Sequence, residues 1–254
     1  MTTDISILYE DDEVLAINKP AGLVVHSDGR TKEPTLADFL LERNPDIRGV
    51  GETIELTKGG VIEKWGIVHR IDRDTSGVIL VAKTQASFLN LKSQFQARTI
   101  KKSYRAIAHG FFKEPAGTID KPIGRSTSDF RKWSAEYSAR GDLREAVTNY
   151  RVLGRGQALE SADSDAEGIK LSYLEVSPRT GRTHQIRVHL KAVGHPILCD
   201  KLYAPKSPCV LGFGRTALHA FSVVFKGVLG DEHMVEAPLP DDFKAGLAEL
   251  GLPC

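Results

Sequence analysis

Apolar residues alternate with polar ones, or cluster in short β-branched runs, along most of the chain. This period of two is typical of β-strands. It predicts eight strands, over residues 5–9, 14–18, 66–71, 78–82, 102–108, 147–153, 170–176 and 218–225. Helical spacing occurs in four segments, over residues 35–43, 85–97, 183–193 and 241–250. Because strands outnumber helices and do not alternate strictly with them, we expect an α+β fold with mixed, largely antiparallel sheets.

The third predicted helix has recognisable ends, with Thr183 as a candidate N-cap and Gly194 as a candidate C-cap. Loops are predicted over residues 49–64, which contain four glycines, and over the acidic residues 154–168. The second of these is expected to be a hairpin insertion or a mobile tip. With no internal repeat and no clear linker, residues 1–254 are predicted to form a single domain.

Composition excludes several classes of protein. The chain has 254 residues, of which 41% are hydrophobic and 26% charged, as in ordinary soluble globular proteins. No stretch approaches the ~18 apolar residues of a membrane span, and the acidic N-terminus lacks the pattern of a signal peptide. Three cysteines without C-x-x-C spacing, Cys199, Cys209 and Cys254, argue against a disulfide framework or a zinc site. They favour a reducing, cytoplasmic compartment.

Charge is unevenly distributed although the net charge is only +1. Residues 61–110 carry nine basic and three acidic side chains, whereas both ends of the chain are acidic. A basic middle could supply a positive cleft for phosphates, but charge alone favours an uneven, solvated surface. The phosphate-binding glycine loops of nucleotide cofactors and the G-x-S-x-G turn of α/β-hydrolases are missing from the sequence.

The segment GIVHRIDRDTSGVILVAK (residues 66–83) is a polar turn between two predicted strands. It places Asp72 and Asp74 beside Arg70 and Arg73. A neighbouring guanidinium favours an ionised carboxylate, which can act as a nucleophile or a base. The alternative is a hairpin whose polar residues serve turn geometry, and the local pattern alone favours that alternative.

A second basic segment, RTIKKSYRA (residues 98–106), surrounds Tyr104 with four cations: Arg98, Lys101, Lys102 and Arg105. On a strand, Lys102 and Tyr104 share one face. Such a ring can stack on a nucleobase while the cations hold phosphates. An edge strand protected by lysines would look the same, and the pattern leaves both interpretations open.

The segment TGRTHQIRVHL (residues 180–190) puts Arg182, His184 and Arg187 near the start of the third predicted helix. Cations at a helix N-terminus attract anions, and Arg187 could instead pair with a buried acid such as Asp72. The histidines raise the possibility of a metal, but their spacing fits a helical zinc site poorly. His189 is predicted to be a packed core residue.

These segments together resemble the RluA family of pseudouridine synthases. HRIDRDTSG is similar to the family signature HRLD-x-x-T-S-G. NKPAGLVVH (18–26), KSYRA, TGRTHQIRVHL, GHPILCDKLYA (194–204) and RTALHAFSVVF (215–225) resemble further family blocks, in family order over about residues 11–240. The departures are Ile71 for Leu, Cys199 where Gly is usual, and Lys226-Gly227 where His-Pro is common.

The resemblance implies an enzyme that isomerises uridine in RNA to pseudouridine without cofactor or metal, on two β-sheet subdomains flanking a cleft. It implies that Asp72 is catalytic, that Tyr104 packs on the target base, and that Arg187 pairs with Asp72. Arg70 would take the place of the flipped nucleotide, whose unstacking costs a few kcal/mol. The other predicted RNA contacts are Arg98, Lys101, Lys102, Arg105, Arg182 and His184.

The substrate is expected to be rRNA or tRNA and the protein a cytoplasmic monomer. The chain begins almost at the catalytic core, so the sequence predicts that it lacks the S4-type RNA-binding domain of many relatives. Two alternatives come from other classes of protein. A non-catalytic RNA-binding protein on this fold would not need Asp72, and a metal-dependent hydrolase would use the histidines.

Overall fold

The computed structural model describes residues 5–26, 33–55, 61–136, 139–159 and 168–254. The strands are β1 Ser6–Glu10, β2 Val14–Lys19, β3 Thr53–Glu55, β4 Val61–Glu63, β5 Ser76–Ala82, β6 Lys101–His109, β7 Ala116–Asp120, β8 Ile123–Ser126, β9 Trp133–Ser134, β10 Ala139–Arg144, β11 Val147–Ala158, β12 Ile169–Pro178, β13 Leu218–Lys226 and β14 Glu232–Glu236. The helices are α1 Leu36–Arg43, α2 Gln85–Gln96, α3 Gln185–Ala192 and α4 Asp241–Glu249, with a 3₁₀ turn at Pro45–Ile47. The predicted α+β class is confirmed.

The chain divides into two compact units. Unit 1 consists of Met1–Lys101 and Ala220–Pro238, and unit 2 consists of Lys102–His219 and Leu239–Cys254. The prediction that residues 1–254 form a single domain stays a prediction.

Unit 1 is built on a sheet in the order β1-β2-β5-β13, with β14 pairing to β13. The β1–β2, β2–β5 and β13–β14 pairings are antiparallel. Every residue of β5 is buried, which explains its continuous apolar sequence. Phe88 and Leu91 of α2 pack with Val78 and Leu80 of β5, and Thr84 begins α2 with a capping box to Ser87.

Unit 2 contains the strand order β6-β12-β11-β7 and a separate sheet in the order β10-β8-β9. The long strands β11 and β12 pair antiparallel from Thr148–Pro178 to Ala158–Ile169, with a shift of register between Val152 and Gly154. Residues 154–158, predicted to be loop, are therefore strand. Residues 160–167 lie outside the described residues. The paired strands on either side form a hairpin, and the prediction that it is an insertion stays a prediction.

The strand predicted over residues 66–71 is wrong. In this segment the structure has an isolated bridge between Ile67 and Val81 instead of a strand. The Gly66 N–H donates to the Val50 carbonyl oxygen, and the Gly66 carbonyl oxygen accepts from the Ala82 N–H. Its φ is +72°, and a Cβ there would lie 2.0 Å from the Ala82 carbonyl oxygen. The chain therefore turns sharply at a position that only glycine can occupy.

Two other predictions are corrected. Thr183 is not the N-cap of α3: His184 is, at φ +55° and without a side-chain cap. Cys199 and Cys209 form a disulfide, which removes the cysteine argument for a reducing compartment. Cys199 occupies the left-handed region at φ +57°, which explains why glycine is usual there. Within the described residues, no helix is long and apolar enough to cross a membrane.

Candidate active site

Asp72 lies in a tight turn that leads directly into β5. The Thr75 N–H donates to the Asp72 carbonyl oxygen at 3.1 Å, and Thr75 and Ser76 are buried while Asp72 is half-buried. Gly77, at φ +113°, is the second residue of β5, and only glycine fits there because a Cβ would lie 2.1 Å from the Ala220 carbonyl oxygen. The Thr, Ser and Gly of this turn fix the backbone and leave the carboxylate at the rim of a rigid sheet.

Lys19 anchors this turn from the neighbouring strand. Its side chain has no exposed surface, and Nζ donates to the carbonyl oxygens of Pro20, Leu23 and Arg73 at 2.7, 2.8 and 2.9 Å. The Gly22 N–H donates to the same Arg73 oxygen at 2.9 Å. The Lys-Pro segment and the Asp72 turn are thus one hydrogen-bonded unit, which sequence reasoning did not foresee.

Two histidines flank the turn. His69 accepts a hydrogen bond from the Leu80 N–H at 2.9 Å and stacks on Phe95 with the ring centroids 4.7 Å apart, and these two contacts hold its ring in place. Burial, together with the charges of Arg70 and Lys64, lowers the pKa of His26 to about 4. His26 is therefore neutral at pH 7. Arg70 itself is exposed, and its predicted contact with RNA stays a prediction.

Tyr104 and Lys102 share one face of β6 in unit 2. Tyr104 lies opposite Val176 of β12 and is half-buried. Burial lowers the pKa of Lys102. The Lys102 Nζ is 3.9 Å from the position that a Cβ would take on Gly181. The strand face that carries the tyrosine therefore meets the segment that precedes α3.

The opposite face of β6 has a different environment. Arg105 donates to Glu175 of β12 and to Ser103 at 3.1 and 3.0 Å, and Arg151 also pairs with Glu175. Arg105 is thus part of an intramolecular ion pair, and its predicted contact with RNA stays a prediction. Lys101 is exposed, as is Arg98, which follows α2 at φ +59°.

Arg187 on α3 is held by Asp200. Its Nε and Nη2 donate to the two carboxylate oxygens at 2.7 and 2.8 Å, and its guanidinium carbon lies 5.0 Å from the Tyr203 ring centroid. Neither Asp200 nor Tyr203 was singled out from the sequence, although both lie in the GHPILCDKLYA block. The predicted pairing of Arg187 with Asp72 stays a prediction.

The start of α3 is fixed by Gln185, another residue that sequence reasoning missed. Its oxygen accepts from the Thr180 hydroxyl and the Arg182 N–H, and its nitrogen donates to Val147 and Thr148. Arg182 also donates through Nε to the Glu145 carbonyl oxygen at 3.0 Å, and His184 hydrogen-bonds the Tyr203 hydroxyl at 2.8 Å. The predicted RNA contacts of Arg182 and His184 stay predictions.

The prediction that His189 is a core residue is confirmed. It is fully buried, its Nε2 donates to the Lys121 carbonyl oxygen, and its Nδ1 bonds the Thr148 hydroxyl, both at 2.9 Å. Burial lowers its pKa. Among the residues that the structure describes, no three His, Cys, Asp or Glu side chains cluster as metal ligands would.

Comparison with known proteins identifies the same family that the sequence segments resemble. The sequence model of the RNA pseudouridylate synthase family matches residues 13–192, which include the Asp72 turn, β6 and α3. The chain is 38% identical over 248 residues to an uncharacterized RNA pseudouridine synthase of Synechocystis, covering 97% of this chain and 69% of that one. It is 37% identical over 258 residues to ribosomal large subunit pseudouridine synthase D of Xanthomonas campestris, covering 97% and 69%.

Solved structures give the same result. Human RNA pseudouridylate synthase domain containing 1 superposes with a TM-score of 0.72 at 28% identity, covering 94% of this chain and 84% of that one. Human RNA pseudouridylate synthase domain containing 4, at 24% identity, shares the fold with a TM-score of 0.70, covering 98% and 94%. The chain therefore belongs to the RNA pseudouridylate synthase family, whose enzymes isomerise uridine in RNA.

Proposed function

We propose that this protein converts uridine to pseudouridine in rRNA, with Asp72 as the catalytic residue. The observation that carries the proposal is the Asp72 turn, in which a half-buried carboxylate is held on a backbone fixed by Lys19, Thr75 and Gly77. The names of relatives such as the Xanthomonas enzyme favour rRNA over tRNA as the substrate.

The reaction breaks the C1′–N1 bond of uridine, rotates the base and joins C5 to C1′. C5 loses a proton and N1 gains one, so substrate and product have the same atoms and no oxidant or reductant is needed. Asp72 either attacks C1′ or removes a proton from the sugar. Tyr104 stacks on the target base, and its hydroxyl is the candidate group for the proton transfer at C5.

Arg187 and Arg70 complete the proposed site. The family resemblance implies that Arg187 pairs with Asp72. A guanidinium stabilises the ionised form of such a carboxylate. Arg70, exposed beside a neutral His26, fills the gap that the flipped nucleotide leaves in the RNA. Such a substitution offsets part of the unstacking cost of a few kcal/mol.

Tritium release provides the test, because the hydrogen on C5 of uridine leaves during the reaction. With C5-tritiated rRNA, the wild-type protein should release tritium to water, and it should do so in the presence of a metal chelator. Asp72→Asn should remain folded, bind the RNA and release none, whereas the neighbouring exposed Asp74→Asn should retain more activity. Tritium release by Asp72→Asn at the wild-type rate would exclude Asp72 as the catalytic residue. RNA binding without release by the wild-type protein would identify a binding protein.

The choice of RNA needs a separate experiment. Pseudouridines are mapped in rRNA and tRNA from a strain without the gene, complemented with the wild-type or the Asp72→Asn protein. We expect at least one rRNA position to regain the modification with the wild-type gene alone. A restored tRNA position would move the assignment to tRNA. We further propose that the protein is cytoplasmic and acts as a monomer. Light scattering of the purified protein tests its oligomeric state.

A further inference from the structure

We propose that Asp200 is a positioning residue that aims the Arg187 guanidinium in the isomerisation. The inference rests on the proposed function, in which Arg187 acts at the active site. Asp200 lies outside residues 13–192, the part of the chain that the family model matches. It is also not among the residues to which the sequence assigned a role.

The contact between the two side chains leaves the guanidinium little freedom. Both carboxylate oxygens are used, Oδ2 by Nε at 2.7 Å and Oδ1 by Nη2 at 2.8 Å. The Asp200 side chain is 0% exposed and that of Arg187 11% exposed. A two-point contact fixes the plane of the guanidinium as well as its distance, which a single ion pair does not.

Asp200 itself is held by the backbone that surrounds it. Its Oδ1 accepts from the N–H groups of Leu202 and Tyr203 at 3.1 and 3.0 Å, and its own carbonyl oxygen accepts from the Ala204 N–H at 2.7 Å. The preceding residue, Cys199, is tied to Cys209 by the disulfide. The carboxylate is therefore oriented by its own turn, so it can impose a position on Arg187.

Tyr203 supplies a second contact from the same turn. Its ring centroid lies 5.0 Å from the Arg187 guanidinium carbon, within cation–π distance. Its hydroxyl accepts from the Trp133 N–H at 3.0 Å and hydrogen-bonds His184 at 2.8 Å. The turn after Cys199 thus contacts the guanidinium both along its edge and over its face.

The chain offers a matched control. Arg215 and Asp242 form the same two-point pair, with Nε–Oδ2 at 2.7 Å and Nη2–Oδ1 at 2.9 Å, and Arg215 lies 5.7 Å from the Phe243 ring centroid. Both pairs lie in unit 2. Asp242→Asn therefore reports the loss of a two-point pair of the same geometry, at a carboxylate that is 26% exposed, and it should leave kcat within about twofold of the wild-type value.

The first experiment compares Asp200→Asn and Asp242→Asn in the tritium assay and in thermal melts. We expect both to lower Tm, but only Asp200→Asn to lower kcat, by about 10- to 100-fold, with the Kd for RNA within about twofold. In an Arg187→Met background, Asp200→Asn should have no further effect on kcat. If Arg187→Met loses activity while Asp200→Asn keeps wild-type kcat, the inference is wrong and the proposed function stands. If Arg187→Met is fully active, the proposed role of Arg187 fails.

A second experiment leaves Asp200 in place, so it does not depend on the folding of its variants. Arg187→Ala should regain activity, by about fivefold or more, when guanidinium is added at millimolar concentration, since the free ion can occupy the two-point site. Methylammonium, a point charge of the same sign, should not restore activity. Equal rescue by both cations would mean that charge alone matters and would overturn the positioning role.

Discussion

The ammonium of Lys19 lies 2.9 Å from the carbonyl oxygen of Arg73, although 54 residues separate them in the chain. Arg73 directly follows Asp72, so the lysine fixes the backbone that carries the catalytic candidate. A fully buried lysine is rare unless its charge is solvated by the protein, here by three carbonyl oxygens. The Lys-Pro segment therefore holds the backbone beside Asp72.

Lys19→Met should remove the ammonium from these three carbonyl oxygens, of which that of Arg73 keeps the Gly22 N–H as a donor. Each unsatisfied buried acceptor costs about 1–3 kcal/mol, so loss of the donor to Pro20 and Leu23 should lower the free energy of unfolding by roughly 2 kcal/mol or more. Turnover should fall as well, because the Asp72 turn loses its anchor. Urea unfolding and tritium release measure the two effects. Lys83→Met, which removes a more exposed lysine that bonds Glu10 and Asp11, serves as the control. An unchanged urea midpoint for Lys19→Met would contradict this role.

Lys101 and Arg105 are both predicted RNA contacts, but they differ in their contacts within the protein. Lys101 is exposed, whereas Arg105 pairs with Glu175. Each phosphate contact that is lost lowers the slope of log K against log salt by about 0.7–0.9. Lys101→Ala should therefore flatten the salt dependence of RNA binding and leave stability unchanged. Arg105→Ala should lower stability by about 1 kcal/mol because it removes the ion pair with Glu175, and it should also flatten the slope if Arg105 makes its predicted contact with RNA. Equal slopes for Lys101→Ala and the wild type would exclude Lys101 as a phosphate contact.

Substitutions at Tyr104 distinguish a base platform from core packing. Stacking on one base is worth about 1–3 kcal/mol, so Tyr104→Leu should lower turnover by about 10- to 100-fold while RNA affinity is nearly kept. Tyr104→Phe keeps the ring and removes the hydroxyl. Activity near the wild-type level would show that stacking is enough, and loss of activity would assign the hydroxyl to proton transfer. Normal turnover by Tyr104→Leu would show that the ring serves packing and not catalysis.

His26 should make stability depend on pH. Its pKa of about 4 in the folded protein lies below the usual 6.5, so the unfolded chain takes up a proton first as the pH falls. Its contribution is thus constant above pH 6.5 and increasingly unfavourable between pH 6.5 and 4. His26→Gln should lessen the loss of stability between pH 7 and 5, measured by urea unfolding. A residual dependence is expected from His109 and His189, whose pKa values burial also lowers. A pH profile identical to that of the wild type would contradict the prediction.

The sequence by itself determined the α+β class, the four helices to within about two residues, and the order of the motifs. Helical and strand periods are local properties, so α2 and the strands β2, β5 and β6 could be located from neighbouring residues alone. The short strands β3, β4, β7, β8, β9, β10 and β14 were missed because they carry little apolar alternation. The motifs also pointed to Asp72, Tyr104 and Arg187, since the residue types of a site are visible without its geometry.

Only the tertiary structure decided which partners those residues have. Asp200 is 13 residues from Arg187, Glu175 is 70 from Arg105, and the pairing of Cys199 with Cys209 spans 10. The sequence pattern places Gly66 in a strand. The structure shows that the carbonyl oxygen of Ala82 occupies the space that a Cβ at this position would need. A sequence pattern reports which face of an element is apolar. It does not report which distant group meets a given side chain, because that follows from how the chain folds back on itself.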